Sequence, residues 1–111
     1  MARTELTVQP IVRSGLNPAL SAANVDGHSI LNDGRVYIEI NNAGAGAITV
    51  TVQTPNVVDG DLLISDRQVN VPIGEVRKIG PFSPGDYNQA DRTFYVDFSA
   101  VAGVTVGAFR L

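Results

Sequence analysis

Two runs of alternating residues constrain the fold of this chain more than any other feature. The β-branched members are Val36, Ile38 and Ile40 in the first run and Ile48, Val50 and Val52 in the second. Successive side chains of a strand point to opposite faces, so each run predicts a strand with one apolar face and one polar face. The link Asn41–Ala47 is short and holds two glycines. We therefore expect the two strands to pair as a β-hairpin.

Shorter alternating runs follow the same pattern elsewhere in the chain, separated by turn-forming residues. Further strands are predicted at Thr4–Val12, Leu62–Ile64, Arg67–Ile73, Glu75–Ile79, Thr93–Ser99 and Val104–Leu111. Pro10 cannot donate to a ladder, so the first strand lies at an edge or breaks there. Asn17-Pro18 is the one helix-like signal, and we interpret it as a loop with at most one helical turn.

The strand pattern predicts an all-β protein. Seven to eight strands, spaced by roughly 10–15 residues, are typical of a sandwich or barrel. We expect a single-domain antiparallel β-sandwich over residues 1–111, jelly-roll or immunoglobulin-like, with the first residues, MARTE, as a short flexible arm. Scaling predicts that about 65% of the surface is buried on folding. The chain has no cysteine, which excludes disulfides and thiolate metal sites.

The last predicted strand has apolar residues on both faces. Val104, Val106 and Ala108 share one face, whereas Phe109 and Leu111 have the opposite parity. One interpretation is a β-bulge at Gly107 that switches faces. The alternative is that the core covers one face of this strand and a partner covers the other.

The charge distribution argues against nucleic-acid binding. The net charge is −3, and of the eight basic residues only Arg77 and Lys78 are adjacent. Proteins that bind phosphates concentrate positive charge on one face. No apolar run approaches the ~20 residues of a membrane helix. The first ten residues lack the apolar core of a signal peptide, so we expect production without Sec export.

Residues that could carry chemistry form no catalytic pattern. His28 is the only histidine, and its spacing from Ser29 and Asp33 matches no triad, so we interpret it as a loop histidine held by turn hydrogen bonds. The segment Asp59-Gly60-Asp61 resembles the start of a calcium loop but lacks the distal glutamate. We expect no catalytic residue, no cofactor and no metal site.

Tyrosine would have to provide any carbohydrate platform, because the chain has no tryptophan. The candidates are Tyr37, Tyr87 and Tyr95. Tyr37 and Tyr95 lie on the polar faces of their predicted strands. We favour cross-strand packing on an outer face for them over glycan stacking.

Three segments together resemble a family of small, cysteine-free virion proteins of tailed bacteriophages. They are Asp26–Ile40, Ile79–Gln89 and Tyr95–Leu111. The resemblance implies a capsid decoration (cement) protein that binds the major capsid protein lattice and stabilises the head, with neck or tail accessory roles as close alternatives. It implies a homo-oligomer, with a trimer favoured, on the capsid surface after assembly in the host cytoplasm. Neither nucleic acid nor a membrane is an expected partner.

The remaining predictions concern contact residues. Seven candidates for a partner interface are Arg3, Glu5, His28, Asn32, Tyr87, Phe109 and Leu111. We expect Asp26–Gly34, with its two Asp-Gly turns, to form a surface loop that carries specificity. The alternative function is a glycan- or host-surface-binding module of a phage particle.

Overall fold

The computed structural model describes residues 3–55, 57–58, 60, 62–63 and 65–111, and most of its regular structure is β-strand. The strands are β1 (Thr4–Leu6), β2 (Val8–Pro10), β3 (Ser21–Ala22), β4 (His28–Leu31), β5 (Val36–Asn42), β6 (Ile48–Val52), β7 (Val57–Val58), β8 (Leu62–Leu63), β9 (Arg67–Val71), β10 (Val76–Ile79), β11 (Thr93–Phe98) and β12 (Val104–Arg110). The one helix in the described part of the chain is α1 (Pro84–Tyr87).

Two sheets pack face to face. Sheet A has the strand order β1-β4-β11-β6-β9, and sheet B has the order β10-β5-β12-β2, with β3 also paired to β12. The strands β7 and β8 pair separately. The predicted all-β sandwich is confirmed. The predicted count of seven to eight strands is wrong, because the described residues place ten strands in the two sheets. The sheets are also mixed rather than antiparallel, since β1–β4 and β2–β12 are parallel pairs.

The predicted hairpin between the two alternating runs is wrong. β5 lies in sheet B between β10 and β12, whereas β6 lies in sheet A between β11 and β9. Their link crosses from one sheet to the other, so the two β-branched stripes face each other across the core. The most deeply buried core side chains include Ile30, Val36, Ile38, Ile40, Val50, Val52, Val71, Phe94, Val96 and Val106.

A buried amide fixes this crossing. The Asn42 side chain is fully buried, donates to the carbonyls of Gly46 at 2.9 Å and Val71 at 3.1 Å, and accepts from the Gly44 N–H at 3.1 Å. Val71 ends β9, just before the link to β10. Asn42 therefore ties two neighbouring crossings together and satisfies backbone groups that would otherwise be buried without partners.

The antiparallel pairs are nested along the chain. β3 pairs with β12, β4 with β11, β5 with β10, and β6 with β9. This is the pairing of one long hairpin folded over onto itself, closed by the additional pairs β5–β12 and β6–β11. The sandwich has two open sides. We call the side formed by β1, β2 and β3 the N-terminal edge, and the other side the β9–β10 edge.

Several local predictions need correction. The first strand breaks at Thr7, where the chain passes from sheet A to sheet B, and not at Pro10. Both pieces lie at sheet edges, as predicted. The segment predicted as a surface loop contains β4, an inner strand of sheet A. The segment after Asn17 is a loop, as predicted, whereas α1 forms in a segment that was predicted to be a loop. Asp59, Asp61 and Ile64 lie outside the described residues.

The last strand is regular, so a bulge at Gly107 is excluded. β12 pairs with β5 through seven consecutive residues. Its outer face is covered by the chain itself: a Cβ at Gly107 would lie 2.6 Å from the Leu20 side chain, and Phe109 stacks on Tyr37 with ring centroids 5.7 Å apart. The absent side chain of Gly107 makes room for the segment 19–20. Residues of the same chain therefore cover the outer face of β12, which the sequence pattern allowed a partner to cover.

Candidate functional site

His28 fastens the N-terminal strand. It is buried in sheet A, with 1% of its surface exposed. Its Nε2 accepts from the Asn24 N–H at 3.0 Å, so Nδ1 carries the proton and donates to the Thr4 carbonyl at 3.1 Å. Burial lowers the pKa of His28 below its ordinary value of 6.5; the bond to Thr4 opposes this shift and the positive Arg3 adds to it. With both nitrogens bonded to backbone, His28 acts as a structural clamp in a strand rather than in the predicted loop.

Arg3 anchors the same N-terminal strand at the protein surface, and we call His28 and Arg3 together the clamp. The Arg3 guanidinium lies 2.7 Å from Asp97 Oδ1 and 4.2 Å from the Tyr95 ring centroid, and it donates to the Val96 carbonyl at 3.3 Å. A Cβ at Gly27 would overlap this guanidinium. Arg3 and β1 are therefore anchored to the protein, which corrects the expectation of a flexible arm for residues 3–5; Met1 and Ala2 lie outside the described residues.

Asn32 holds two loops together. Its amide donates to the Phe82 carbonyl at 3.1 Å and to Asn88 Oδ1 at 2.7 Å, while its Oδ1 accepts from the Gly34 N–H at 2.9 Å. The side chain is buried. It therefore positions the turn before β5 against the loop that carries α1.

The seven predicted contact residues fall into two groups. His28, Asn32 and Phe109 are buried within the protomer, where they support strands and loops. Arg3, Glu5, Tyr87 and Leu111 retain exposed surface, and their partner contacts stay a prediction. Leu111 is exposed over 74% of its surface.

The three tyrosines are engaged to different extents. Tyr95 lies under Arg3. Tyr87 packs edge-on against Phe82 at 5.1 Å, and its hydrogen bond with Arg67 raises the pKa of that arginine. Tyr37 stacks on Phe109, its cross-strand neighbour in β12, which confirms the expected outer-face packing for this residue. Tyr37 also borders an open groove.

Two grooves flank β10 at the β9–β10 edge. The first, of about 600 Å³, lies on the outer face of sheet B; its lining is Gly34, Arg35, Tyr37, Lys78, Ile79, Gly80, Pro81 and Leu111. We call it the outer groove. The second, of about 350 Å³, lies between the two sheets; its lining is Arg67, Val69, Arg77, Lys78, Ile79, Gly80, Pro81, Phe82 and Tyr87. We call it the inter-sheet groove. The two grooves share the end of β10 and the turn that follows it.

The grooves gather positive charge. Four of the chain's eight basic residues line them, namely Arg35, Arg67, Arg77 and Lys78, and no aspartate or glutamate belongs to the described lining of either groove. Outside the lining, Glu75 pairs with Arg77 at 2.6 Å and Glu39 with Lys78 at 3.1 Å. All four acidic and basic members of these pairs have side-chain exposures between 19% and 61%. The β9–β10 edge is therefore the candidate binding site.

Comparison with known proteins does not identify this site. No family model, curated protein or solved structure matches the chain. No group of three or more metal-ligating side chains occurs among the described residues. Within the same residues, no helix has the length and apolar character to cross a membrane.

Sequence reasoning missed the cationic residues of the grooves. They lie on three separate segments, since only Arg77 and Lys78 are adjacent in the chain. Nested pairing brings β9 and β10 to one side of the sandwich. The local sequence carries no signal of that neighbourhood, so the scattered basic residues gave no indication of a cluster.

Proposed function

We propose that this chain is a structural virion protein of a tailed bacteriophage, a capsid decoration protein that binds the major capsid protein lattice and stabilises the head. We propose a non-enzymatic role at the capsid surface, reached after assembly in the host cytoplasm. The expected assembly is a homo-oligomer, with a trimer favoured. Neck or tail accessory proteins are the nearest alternatives.

The observation that carries the proposal is the nested strand order. The pairs β3–β12, β4–β11, β5–β10 and β6–β9 wrap eight strands into two four-stranded layers, and we infer a jelly-roll topology from this order. Jelly rolls occur in viral capsid proteins and in lectins. β1 and β2 add one parallel strand to each layer. The resemblance of three sequence segments to phage virion proteins supports the first of these two settings.

The test is binding to the particle. Purified protein is expected to sediment as a defined oligomer and to bind emptied capsids of the encoding phage at specific lattice sites. A strictly monomeric protein without affinity for these capsids contradicts the proposal. Portal, protease and major capsid genes next to its gene support it, whereas a lysis or fibre cassette favours the alternatives.

A glycan-binding module is the second candidate, and the outer groove favours it. Tyr37 borders this open groove together with Arg35 and Lys78, the arrangement of an aromatic and polar groups that sugars use. Tyr95 is covered by Arg3. Saturable binding in a polysaccharide screen should therefore be lost in Tyr37→Ala and retained in Tyr95→Ala. Polysaccharide binding that both variants retain, or a wild-type protein that binds no polysaccharide, excludes this candidate.

A further inference from the structure

β10 presents a backbone edge without a strand partner among the described residues, and there the Val76 carbonyl accepts from Arg77 Nη1 at 3.1 Å. The strand pairs with β5 on one side, and none of the described residues pairs with its other side. The Asn42 N–H donates to the Glu75 carbonyl at 3.0 Å. Ladder bonds alternate along an antiparallel pair, so Arg77 and Ile79 bond to β5. The N–H and C=O of Lys78 therefore point away from β5, toward the open edge.

The grooves lie on opposite faces of this edge. Lys78 is cross-strand to Glu39 on the outer face, whereas Arg77 and Ile79 are cross-strand to the buried Ile40 and Ile38. The outer groove therefore opens on one face of β10 and the inter-sheet groove on the other. A strand added to β10 would direct its alternate side chains toward the two faces, and hence toward one groove each. Strand addition of this kind takes affinity from main-chain bonds and specificity from alternate pockets.

The charge of the grooves selects the occupant. Arg35, Arg67, Arg77 and Lys78 line them without a described acidic side chain, in a chain of net charge −3. The Arg77–Glu75 pair is solvent-exposed, and the Lys78–Glu39 pair is exposed on its lysine side, with 61% of the Lys78 side chain and 19% of the Glu39 side chain accessible. Pairs near the surface exchange partners at little cost. Carboxylates on an incoming segment therefore meet complementary charge.

The apolar lining distinguishes between classes of macromolecule. Ile79 and Pro81 border both grooves, Leu111 borders the outer groove, and Val69 and Phe82 border the inter-sheet groove. Apolar side chains of a peptide fill such surfaces, whereas a nucleic-acid backbone presents only charged phosphates and sugar to them. The combination favours a protein segment.

We propose that the β9–β10 edge binds an extended, acidic segment of a partner protein, which adds to β10 as a further strand and places alternate side chains in the two grooves. The inference deepens the proposed function and rests on it, because it assigns a chemistry to the contact with the lattice. The partner supplies the carboxylates and the apolar side chains. The protein supplies the cations, the free N–H and the paired grooves.

Peptide binding tests the chemistry directly. The probe is a labelled ten-residue peptide of alternating glutamate and valine, with an analogue in which lysine replaces glutamate as its control. Fluorescence anisotropy should give at least about tenfold tighter binding of the acidic peptide, and the difference should shrink as salt rises. Two further versions of the acidic peptide carry N-methyl groups on either the odd or the even backbone nitrogens. Only one of the two should lose binding, since strand addition uses every second N–H.

Two matched pairs of variants separate charge from backbone. Lys78→Ala and Lys78→Pro both remove the ammonium group, but only Lys78→Pro also removes the outward N–H. Lys78→Pro should therefore bind the acidic peptide about fivefold more weakly than Lys78→Ala does. Arg77→Glu should weaken it about tenfold. Arg13→Glu, an equal charge change at an exposed residue outside both grooves, should leave it within about twofold. Thermal melts establish that each variant is folded.

Several outcomes overturn the proposal. They are equal binding of the acidic and lysine peptides, equal binding by the Lys78→Ala and Lys78→Pro variants, tighter binding of a DNA oligonucleotide at this edge, or a dimer of the chain that Lys78→Pro dissociates. Sedimentation with emptied capsids separates the two proposals. Capsid binding that Lys78→Pro leaves unchanged overturns the edge proposal and leaves the proposed function standing. Failure of wild-type protein to bind capsids overturns the proposed function.

Discussion

At the N-terminal edge, polar side chains bond to the backbone of distant segments, whereas at the β9–β10 edge the described charged side chains pair mainly with each other. Arg3 donates to the Val96 carbonyl. The Gln9 side chain donates to the Ala19 carbonyl at 2.8 Å and accepts from the Ala19 N–H at 2.9 Å. By contrast, Arg77 and Lys78 pair with Glu75 and Glu39 near the surface.

The difference indicates different roles for the two edges. A side chain that satisfies a backbone group of another segment fixes that segment, and its loss leaves the group without a partner. An exposed ion pair contributes little to stability and leaves its charges available to a ligand. We infer that the N-terminal edge closes the fold and that the β9–β10 edge is available for binding. Four predictions test this comparison.

The largest expected effect is at Gly27. This residue has φ +87°, and a Cβ would lie 2.7 Å from the Val96 carbonyl and would overlap Arg3 and Asp97. Its carbonyl also accepts from the Thr4 N–H at 3.2 Å. Gly27→Ala should therefore lower the free energy of unfolding by about 3 kcal/mol, through backbone strain together with displacement of the clamp. Denaturant unfolding measures the change.

Gly15 provides the matched control for Gly27. It has a similar φ of +98°, but a Cβ there meets no atom within 4 Å. Gly15→Ala should cost only the backbone strain, about 1 kcal/mol. Equal losses in the two variants would mean that the clamp contributes nothing to stability.

The second prediction concerns acid. Because the pKa of His28 is lowered in the folded protein, the unfolded chain takes up a proton near pH 6.5 while the folded protein does not. The stabilisation is therefore complete above pH 6.5 and decreases as the pH falls from there to the folded pKa. His28→Gln should remove this decrease and cost about 2 kcal/mol at pH 8, since it disturbs the bonds to Thr4 and Asn24.

Another titration is expected at lower pH. Hydrogen bonds from Thr93 lower the pKa of Asp91 below its ordinary value of 3.8, so its stabilising contribution is lost only as the pH falls below that value. Wild type and His28→Gln share this second loss. Unfolding curves between pH 8 and pH 4.5 isolate the histidine. A decrease of equal size in both proteins over this range would show that His28 is not its source.

The third prediction compares glutamines at the two edges. Gln9→Ala removes both bonds to Ala19 and should lower the free energy of unfolding by about 1 kcal/mol. Gln68→Ala, on the exposed face of β9, removes a side chain without a hydrogen bond to the described residues and should stay within about 0.5 kcal/mol of wild type. Amide hydrogen exchange of segment 19–22 should rise only in Gln9→Ala. A similar rise in both variants would contradict the comparison.

Much of the strand content was predictable because its signal is local. Ile38 and Val50 lie on the buried faces of β5 and β6, as alternation indicates. The partner of a strand is a different question, because a seven-residue link suits a hairpin and a crossing between sheets equally well. The Asn42 side chain favours the crossing, because it donates to the carbonyl of Val71, which is 29 residues away. No local pattern contains that information.

The candidate site was hidden for the same reason. Arg35 and Arg67 are 32 positions apart in the sequence, and they line adjoining grooves only because β5, β9 and β10 meet at one side of the sandwich. His28 was misplaced in a loop because a polar residue between turns favours that interpretation. The burial of His28 in a strand depends on Thr4 and Asn24, which supply its two bonds.

The smallest expected stability effect is at the β9–β10 edge, and it gives the sharpest contrast. Arg77→Ala and Lys78→Ala each remove one ion pair whose cation is exposed and should change the free energy of unfolding by no more than about 0.5 kcal/mol. A loss of 2 kcal/mol or more in either variant would make this edge a structural element like the N-terminal one. If both variants keep wild-type stability and lose affinity for the acidic peptide, then these cations serve binding rather than folding. Denaturant unfolding and anisotropy on the same protein samples make that distinction.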